Sequence, residues 1–532
     1  MDGVACWLQS SLKRVFPASP PGRGGPLEMV TARSFRTSFQ ACYRNTTSDS
    51  INIRLSVSGP KDIGIRVRRV GYVPMPHHNT GTETDELDGV GHIPGYVPDP
   101  LFDEDTATIG PQESHAFWIT VDVPAGIDPG EYQLDVCFSI DDQQIDELTA
   151  NLDVRSLVAQ PLQDFPVAHW FYADALCDWY KVEPYDEKFW EIVEPYMRNV
   201  ASHFSGQYVP IFTPPTDGVK RPHQLIKISI SEEGKYVFDF SDVQRWVNLA
   251  RECGATFFQW THFFWQWGCK NALRIYRSKQ DPDSLLWPPE TEATSDTYHN
   301  FLAQFLPEFH KFLQEEDLLN CSIFHVSDEP HGDEHLANYK KARAMLKELA
   351  PWMKVADALS DIRYGKEGIT DMPIPSIGVA REYWDAGIPA MVYYCCGPRG
   401  KYLNRLMDTP LPKIGMSGWL FYRLGAKGFL HWGYNYWYKS QTQQMIDPFT
   451  EQSGGAWPGW AYGDTFVVYP GPNGPLDSIR WEIFAESLQD YALLLTASID
   501  LDDALLADIK DYDDFPKSEE WIFEARKAIL TR

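Results

Sequence analysis

The sequence lacks the segments by which chains enter or cross a membrane. No run of about 20 apolar residues occurs among its 532 residues, so no segment is long enough to span a bilayer as a helix. The start, Met1–Gln9, carries an acid where a secretory signal has basic residues, and no apolar core of about 7 to 15 residues follows it. We therefore expect a cytoplasmic protein that does not associate with a membrane.

Basic residues are also scarce. The chain has 47 Lys and Arg against 74 Asp and Glu, which gives a formal net charge of −27. Binding to nucleic acid or to an anionic membrane surface needs clustered positive charge, so this balance argues against both. A neutral ligand fits the composition better.

Cysteine is sparse and shows no pattern. The nine cysteines are odd in number, scattered, and without metal-ligand spacing. We expect reduced thiols, with the adjacent Cys395 and Cys396 acting as small apolar side chains in a strand. No metal or other cofactor is predicted.

Aromatic residues, by contrast, are abundant. They make up 14% of the chain, with 19 Trp, 26 Tyr and 29 Phe. This is more than a core requires and suits a protein that stacks rings on sugar faces, although an aromatic-rich core would explain it as well.

The pattern along the chain indicates several domains that contain both helices and strands. Residues 1–25 end in a run of Pro and Gly and are predicted to be a flexible leader. Residues 26–160 show short segments of alternating polarity, which is typical of an antiparallel β-sandwich. A polar loop at 76–114 is long enough to reach another surface. Residues 501–532 are expected to form a C-terminal helical tail.

Residues 161–500 alternate apolar, strand-like runs with stretches of helical periodicity. Such alternation is typical of a parallel sheet covered by helices, and eight repeats predict a (β/α)8 TIM barrel. The eight strand candidates are Val167–Tyr172, Gln207–Phe212, Thr256–Phe264, Cys321–Ser327, Val355–Ala358, Pro375–Val379, Ala390–Cys395 and Gly428–Trp432.

The fourth strand candidate ends in two adjacent acids. Asp328 and Glu329 come directly before Pro330, which cannot donate a sheet hydrogen bond, so the strand must stop there. Adjacent carboxylates repel each other, which raises the pKa of one and leaves the other charged. Glycosidic bond cleavage needs this division into an acid and an anion. A solvated loop that caps the following helix is the alternative explanation.

Other strand ends carry groups that suit sugar binding. Each residue alone is more often part of the core than a ligand contact, so the convergence is the stronger signal. The predicted substrate-binding residues are Trp170, Tyr172, Trp260, His262, His325, Tyr394, Trp432, Asn435 and Trp437.

The chain resembles glycoside hydrolase family 123, the retaining β-N-acetylgalactosaminidases, which join a β-sandwich to a (β/α)8 barrel. The resemblance covers most of residues 30–500 and is carried by four segments: Phe324–Pro330, Gly428–Trp437, Tyr469–Glu482 and Glu486–Tyr491.

The resemblance implies a division of roles between the two acids. Glu329 would be the general acid and base, and Asp328 would orient the 2-acetamido group of the substrate, which attacks the anomeric carbon. No cofactor and no separate enzyme nucleophile would then be needed. The expected activity is exo-acting release of terminal β-linked N-acetylgalactosamine from a glycoside.

Two other functions stay open. One is a β-N-acetylglucosaminidase, and the other is a carbohydrate-binding protein on the same barrel that cleaves no bond. Homo-oligomerisation is also left open by the sequence.

Overall fold

The computed structural model describes residues 3–79, 81–278, 281 and 283–532. Its N-terminal region is rich in strands. These are β1 Val4–Ser10, β2 Leu27–Arg33, β3 Phe35–Asn45, β4 Ile51–Ser58, β5 Gly64–Met75, β6 Gly95–Phe102, β7 Thr106–Ile109, β8 Ser114–Val123, β9 Gly130–Ile140 and β10 Gln143–Val158.

These strands form two five-stranded sheets, in the orders β1-β3-β8-β5-β6 and β2-β10-β9-β4-β7. All neighbouring strands pair antiparallel except β2 and β10, which pair parallel. In β4 the side chains of Ile53 and Leu55 are buried while Asn52 and Arg54 are exposed, as expected for a strand with one face in a core. One hydrophobic cluster takes side chains from both sheets, including Phe39 and Phe138.

The prediction of a flexible leader is wrong for the described residues 3–25. Strand β1 pairs along its whole length with β3, and the side chains of Trp7 and Phe16 are 2% and 3% exposed. The Pro and Gly residues before Pro26 predict flexibility. The apolar residues that precede them bury enough surface to hold the segment on the sheet.

The predicted loop at 76–114 contains two of the strands, β6 and β7, and its first part reaches the second region. The His77 ring stacks on Trp457 with centroids 6.0 Å apart. The side-chain amide of Asn79 donates to Asp408 at 2.5 Å, and its oxygen accepts from the backbone N–H of Tyr462 at 3.2 Å.

The second region mixes helices with short strands. The strands are β11 Val167–His169, β12 Gln207–Val209, β13 Lys227–Ile230, β14 Tyr236–Asp239, β15 Phe258–Trp260, β16 Ser322–Ile323, β17 Ala356–Ala358, β18 Met372–Ile374, β19 Val392–Tyr393 and β20 Phe429–His431. The helices are α1 Ala173–Tyr180, α2 Glu187–Ser202, α3 Ser241–Glu252, α4 Asp296–Glu315, α5 Gly332–Leu349, α6 Arg363–Lys366, α7 Ala380–Asp385, α8 Leu411–Gly415 and α9 Ser417–Arg423.

The parallel strands pair in three sheets, β11-β20-β19, β12-β15-β16 and β17-β18, while β13 and β14 form an antiparallel hairpin. We expected one continuous eight-stranded sheet, and the strand ladders divide these eight parallel strands among three sheets. Single parallel bridges join Ala168 to Gly206, Phe324 to Val355 and Ser376 to Tyr393. Strand β18 lies at Met372–Ile374, before the predicted Pro375–Val379.

The chain ends with a hairpin and two helices: β21 Val468–Gly471, β22 Gly474–Asp477, α10 Ile479–Thr496 and α11 Glu519–Leu530. The guanidinium of Arg480 in α10 forms a fully buried ion pair with Asp99 in β6. The C-terminal segment is packed against the rest of the molecule, because Arg526 in α11 pairs with the buried Asp490 at 2.6 Å. Among the described helices, none combines the length and the apolar character that a membrane span requires.

Candidate active site

A cavity of about 120 Å³ opens beside the predicted acids, at the carboxyl ends of several parallel strands. Its lining combines four carboxyl groups with four indole rings. The lining residues are Trp170, Asp217, Trp267, Asp328, Glu329, Ala358, Tyr393, Cys395, Cys396, Leu430, Trp432, Gln441, Trp460 and Asp464.

Both adjacent acids line this cavity, and the backbone at Glu329 explains how. In an extended strand, neighbouring side chains point to opposite faces, so Asp328 and Glu329 would diverge. The φ angle of Glu329 is +38°, a left-handed conformation that is rare for a residue with a side chain. Such strained residues cluster at functional sites, and here the change of direction lets both carboxyl groups face one space.

The Asp328 side chain is deeply buried, with 7% of the residue exposed. Burial, followed by the negative charges of Glu329 and Asp217, raises the pKa of the Asp328 carboxyl well above its usual range. Its backbone carbonyl accepts a hydrogen bond of 2.9 Å from the N–H of Trp267, which fixes the position of the residue. The residue that precedes helix α5 is His331, so the acids do not cap this helix.

Glu329 is half-buried, and one of its oxygens has a specific partner. The Tyr393 hydroxyl, at the end of β19, donates to Oε1 of Glu329 at 2.5 Å. Tyr393 belongs to β19, whereas Glu329 lies in the segment that follows β16, so the hydrogen bond connects the Glu329 carboxyl to a second segment of the chain.

A third acid, Asp217, comes from the segment that follows β12. Its Oδ2 accepts from the Tyr172 hydroxyl at 2.5 Å, and its backbone N–H donates to the side chain of Gln266 at 2.8 Å. Burial raises the pKa of the Asp217 carboxyl, and the ammonium group of Lys220 and the Tyr172 hydroxyl partly oppose this. Tyr172 therefore does not line the cavity itself but positions Asp217, which does.

A fourth acid, Asp464, is held against the indole wall. Its Oδ2 accepts from Nε1 of Trp432 at 3.0 Å, and its Oδ1 lies 3.5 Å from Nε2 of His431. Burial, with the nearby Cys396, raises the pKa of the Asp464 carboxyl well above its usual range. Trp460 packs against Trp432 with ring centroids 4.9 Å apart, so the two indoles form one continuous apolar surface.

Four of the predicted site residues meet in the cavity: Trp170, Asp328, Glu329 and Trp432. Tyr172 and Asn435 lie one layer behind. Asn435 exchanges two hydrogen bonds with the backbone of Tyr172, at 2.8 and 3.1 Å, and so positions the ring that contacts Asp217.

Three predicted sugar contacts are core residues instead. Trp260 packs on Phe309 and donates to Ser322 at 2.9 Å. Trp437 donates to the carbonyl of Val468 at 3.1 Å. Tyr394 packs on Phe429, and its neighbour Tyr393 takes the place in the cavity. All three predicted residues are fully buried, so none offers a face to a ligand.

His262 and His325 are also buried outside the cavity lining, stacked with centroids 4.5 Å apart. Nδ1 of His325 lies 3.5 Å from Asp357, so the three residues have the composition of a metal site. However, Asp357 already accepts bonds from the N–H of Val326 and the Tyr339 hydroxyl. This set therefore supports the segment after β16 that carries Asp328. Burial, reinforced by His325, lowers the pKa of His262 well below its usual range and keeps its ring neutral.

Several cavity residues were not predicted from the sequence as contacts. Asp217, Trp267, Gln441 and Asp464 lie in irregular segments that show no periodicity. Tyr394 was the predicted contact, but its neighbour Tyr393, the last residue of β19, lines the cavity. For Asp217 and Asp464, an acid close to aromatic residues was the only available signal.

Carboxyl groups and indole rings at the carboxyl ends of parallel strands are typical of the active site of a glycoside hydrolase. Residues 170–497 match the family model described as "Glycoside hydrolase 123, catalytic domain". This is more than half of the chain, so the protein belongs to glycoside hydrolase family 123. The family resemblance found in the sequence is therefore confirmed.

One solved structure shares the fold over nearly the whole chain. A family 123 glycoside hydrolase from Clostridium perfringens, described for glycolipid glycan hydrolysis, is 16% identical with a TM-score of 0.72, over 99% of this chain and 97% of that chain. A Bacteroides ovatus GH5 xyloglucanase aligns over 88% of this chain and 98% of that chain, at 9% identity and a TM-score of 0.31. No curated protein matches the sequence significantly.

Proposed function

We propose that the protein is a retaining, exo-acting glycoside hydrolase that releases terminal β-linked N-acetylgalactosamine, with the 2-acetamido group of the substrate as the nucleophile. The observation that carries the proposal is the pair Asp328 and Glu329, adjacent in sequence and both facing one cavity. Neighbouring side chains serve neighbouring atoms of one sugar. Glu329 protonates the glycosidic oxygen, while Asp328 accepts the acetamide N–H.

The burial of Asp328 suits this role. In the empty cavity burial raises the pKa of its carboxyl, so ionisation there is costly. As the acetamido group attacks the anomeric carbon, positive charge develops on that group and an adjacent anion becomes favourable. The interaction is then stronger in the transition state than in the ground state, which is the condition for catalysis.

The cavity size favours a single terminal sugar. Its volume of about 120 Å³ is well below the roughly 300 to 1,000 Å³ that larger ligands occupy. A cavity of about 700 Å³ between β22, α2 and the β6–β7 connection contains neither Asp328 nor Glu329. The proposed acids therefore line the smaller of these two cavities, which supports exo action, the removal of one terminal sugar.

A closed (β/α)8 barrel is part of the proposal. The single bridges Ala168–Gly206, Phe324–Val355 and Ser376–Tyr393 support it, because each joins the edges of two neighbouring sheets and β20 already pairs with both β11 and β19. Glycolipid glycans are the proposed substrate class. The Clostridium perfringens enzyme is described for glycolipid glycan hydrolysis, and the fold that it shares with this chain is the support for this class.

Aryl β-glycosides of N-acetylgalactosamine, N-acetylglucosamine, galactose and glucose provide the test. We expect turnover of the N-acetylgalactosaminide, slower turnover of the N-acetylglucosaminide, and none of the two sugars that lack the acetamido group. Preference for the N-acetylglucosaminide would favour the β-N-acetylglucosaminidase. Sugar binding without turnover of any of the four would identify a carbohydrate-binding protein and contradict the proposal.

A further inference from the structure

The cavity wall contains two adjacent thiols that the proposed hydrolysis does not use. Cys395 and Cys396 follow β19 and line the cavity together with Glu329. Their sulfur atoms lie 3.8 Å apart, and both residues are half-buried. No other cysteine of the described residues lines this cavity.

The backbone around the thiols is firmly held. The side-chain amide of Asn404 donates to the carbonyls of Cys395 at 3.0 Å and Pro398 at 2.9 Å. Nε of Arg399 donates to the carbonyl of Cys396. These contacts engage backbone oxygens, so they fix the loop without using the sulfur of Cys396, a residue that lines the cavity.

The two thiols differ in pKa because their surroundings differ. The two thiols share a hydrogen bond. The contact with Cys395 and the Arg399 guanidinium lower the pKa of Cys396 to about 7, in spite of burial and the charge of Glu329. The hydrogen bond to Cys396 raises the pKa of Cys395 well above its usual range, and burial and the carboxyls of Asp464 and Glu329 add to this effect. Near neutral pH, Cys396 is the nucleophilic member.

The geometry points to Cys396 as a modification site for small sulfur electrophiles, such as disulfides, and to closure of the catalytic cavity by the attached group. The Cys396 thiolate attacks one sulfur of the reagent, a new S–S bond forms, and the other sulfur leaves with the electron pair of the broken bond. An external thiol reverses the step by the same exchange. The expected loss of hydrolysis rests on the proposed function, whereas the labelling does not.

Closure follows from size and position. Even a methylthio group on Cys396 fills part of a cavity of only about 120 Å³, on the wall that faces Glu329. A sugar and this group would then compete for one space.

Methyl methanethiosulfonate is a suitable probe, because its methylthio group is transferred to the thiolate while methanesulfinate leaves. Full-length protein is treated at neutral pH with less than one equivalent, and peptide masses identify the labelled cysteine. Cys137 and Cys321 are the internal controls, since both are half-buried, lie outside the cavity and have a raised pKa. We expect labelling of Cys396 at least about fivefold faster, from its larger thiolate fraction offset by lower nucleophilicity.

Variants separate the parts of this inference. Cys395→Ala removes the hydrogen-bond partner of Cys396 and should slow labelling of Cys396 at neutral pH. Labelled wild type should lose at least about nine-tenths of its hydrolytic rate and regain it with dithiothreitol. Cys396→Ser should keep its own starting rate after treatment, and Cys321→Ser should be inactivated like the wild type.

Faster labelling of Cys137 or Cys321, or full turnover after complete labelling of Cys396, would overturn the inference. If the protein cleaves none of the aryl glycosides, the proposed function fails, but the labelling order and its dependence on Cys395 still decide whether Cys396 is the reactive thiol.

Discussion

The Tyr393 hydroxyl donates a hydrogen bond of 2.5 Å to Oε1 of Glu329. This contact joins the end of β19 to the segment that follows β16, and it assigns Tyr393 a positioning role for the proposed acid and base. The neighbouring Tyr394 is fully buried against Phe429 and lies outside the cavity lining. The chain therefore offers a matched pair of tyrosines for testing this role.

Tyr393→Phe should lower kcat by about tenfold, the effect of losing a hydrogen bond of about 1.5 kcal/mol to the carboxyl of the proposed acid and base. The KM should change little, because the ring still fills the wall. Tyr394→Phe is the control and should keep kcat within about twofold. Equal effects of the two substitutions on the steady-state kinetics would show that Tyr393 does not position Glu329.

Glu329→Gln should reduce turnover by roughly two to four orders of magnitude, since it removes a positioned proton donor. The loss should be smaller for substrates with a good leaving group, which needs little protonation. Glu334→Gln, in the exposed first turn of α5, is the control and should have wild-type kinetics. A loss that does not depend on the leaving group would argue against the acid role.

Asp328→Asn should change how stability depends on pH. The pKa of Asp328 is raised in the folded protein, so the folded state binds its proton more tightly than the unfolded chain does. The corresponding stability is present at low pH and is lost as the pH rises above the unfolded value of 3.8. Relative to wild type, Asn should therefore become increasingly stabilising as the pH rises.

Thermal unfolding of both proteins between about pH 4 and pH 8 measures this difference. Asp333→Asn, whose carboxyl is 89% exposed, controls for the loss of one acid at the surface. A difference between Asp328→Asn and wild type that stays constant across this range would mean that Asp328 does not titrate as described.

Asp99→Asn should destabilise the protein by about 3 to 5 kcal/mol, because it leaves the buried guanidinium of Arg480 without its anion. Asp103→Asn removes an ion pair with Arg66 in which both side chains are at least half exposed, and should cost no more than about 1 kcal/mol. Urea denaturation of the two variants tests the contrast. Similar midpoints would show that the Asp99 pair does not stabilise the contact between β6 and α10.

The place of the two candidate acids after the fourth strand could be predicted from the sequence, because Pro330 cannot continue a strand. However, β16 ends at Ile323, earlier than the predicted strand Cys321–Ser327. The left-handed conformation at Glu329 could not be predicted, since Glu rarely adopts it. The choice between Tyr393 and Tyr394 also needed the structure, because a shift of one residue moves a side chain to the other face.

Two of the segments that carry the family resemblance, Tyr469–Glu482 and Glu486–Tyr491, form structural contacts. Arg480 pairs with Asp99, Glu482 lies 3.1 Å from Arg68, and Asp490 pairs with Arg526. These contacts join α10 to β5, β6 and α11, and none of these residues lines the cavity. The cytoplasmic location stays a prediction from the sequence.

The central claim is that the substrate supplies the nucleophile. The most direct measurement is kcat/KM for aryl β-N-acetylgalactosaminides whose acetamido methyl carries none, one, two or three fluorine atoms. Fluorine withdraws electrons from the amide oxygen, so kcat/KM should fall steeply with each substitution, by orders of magnitude across the series. A nearly constant kcat/KM would mean that the protein supplies its own nucleophile, and it would contradict the proposed roles of Asp328 and the acetamido group.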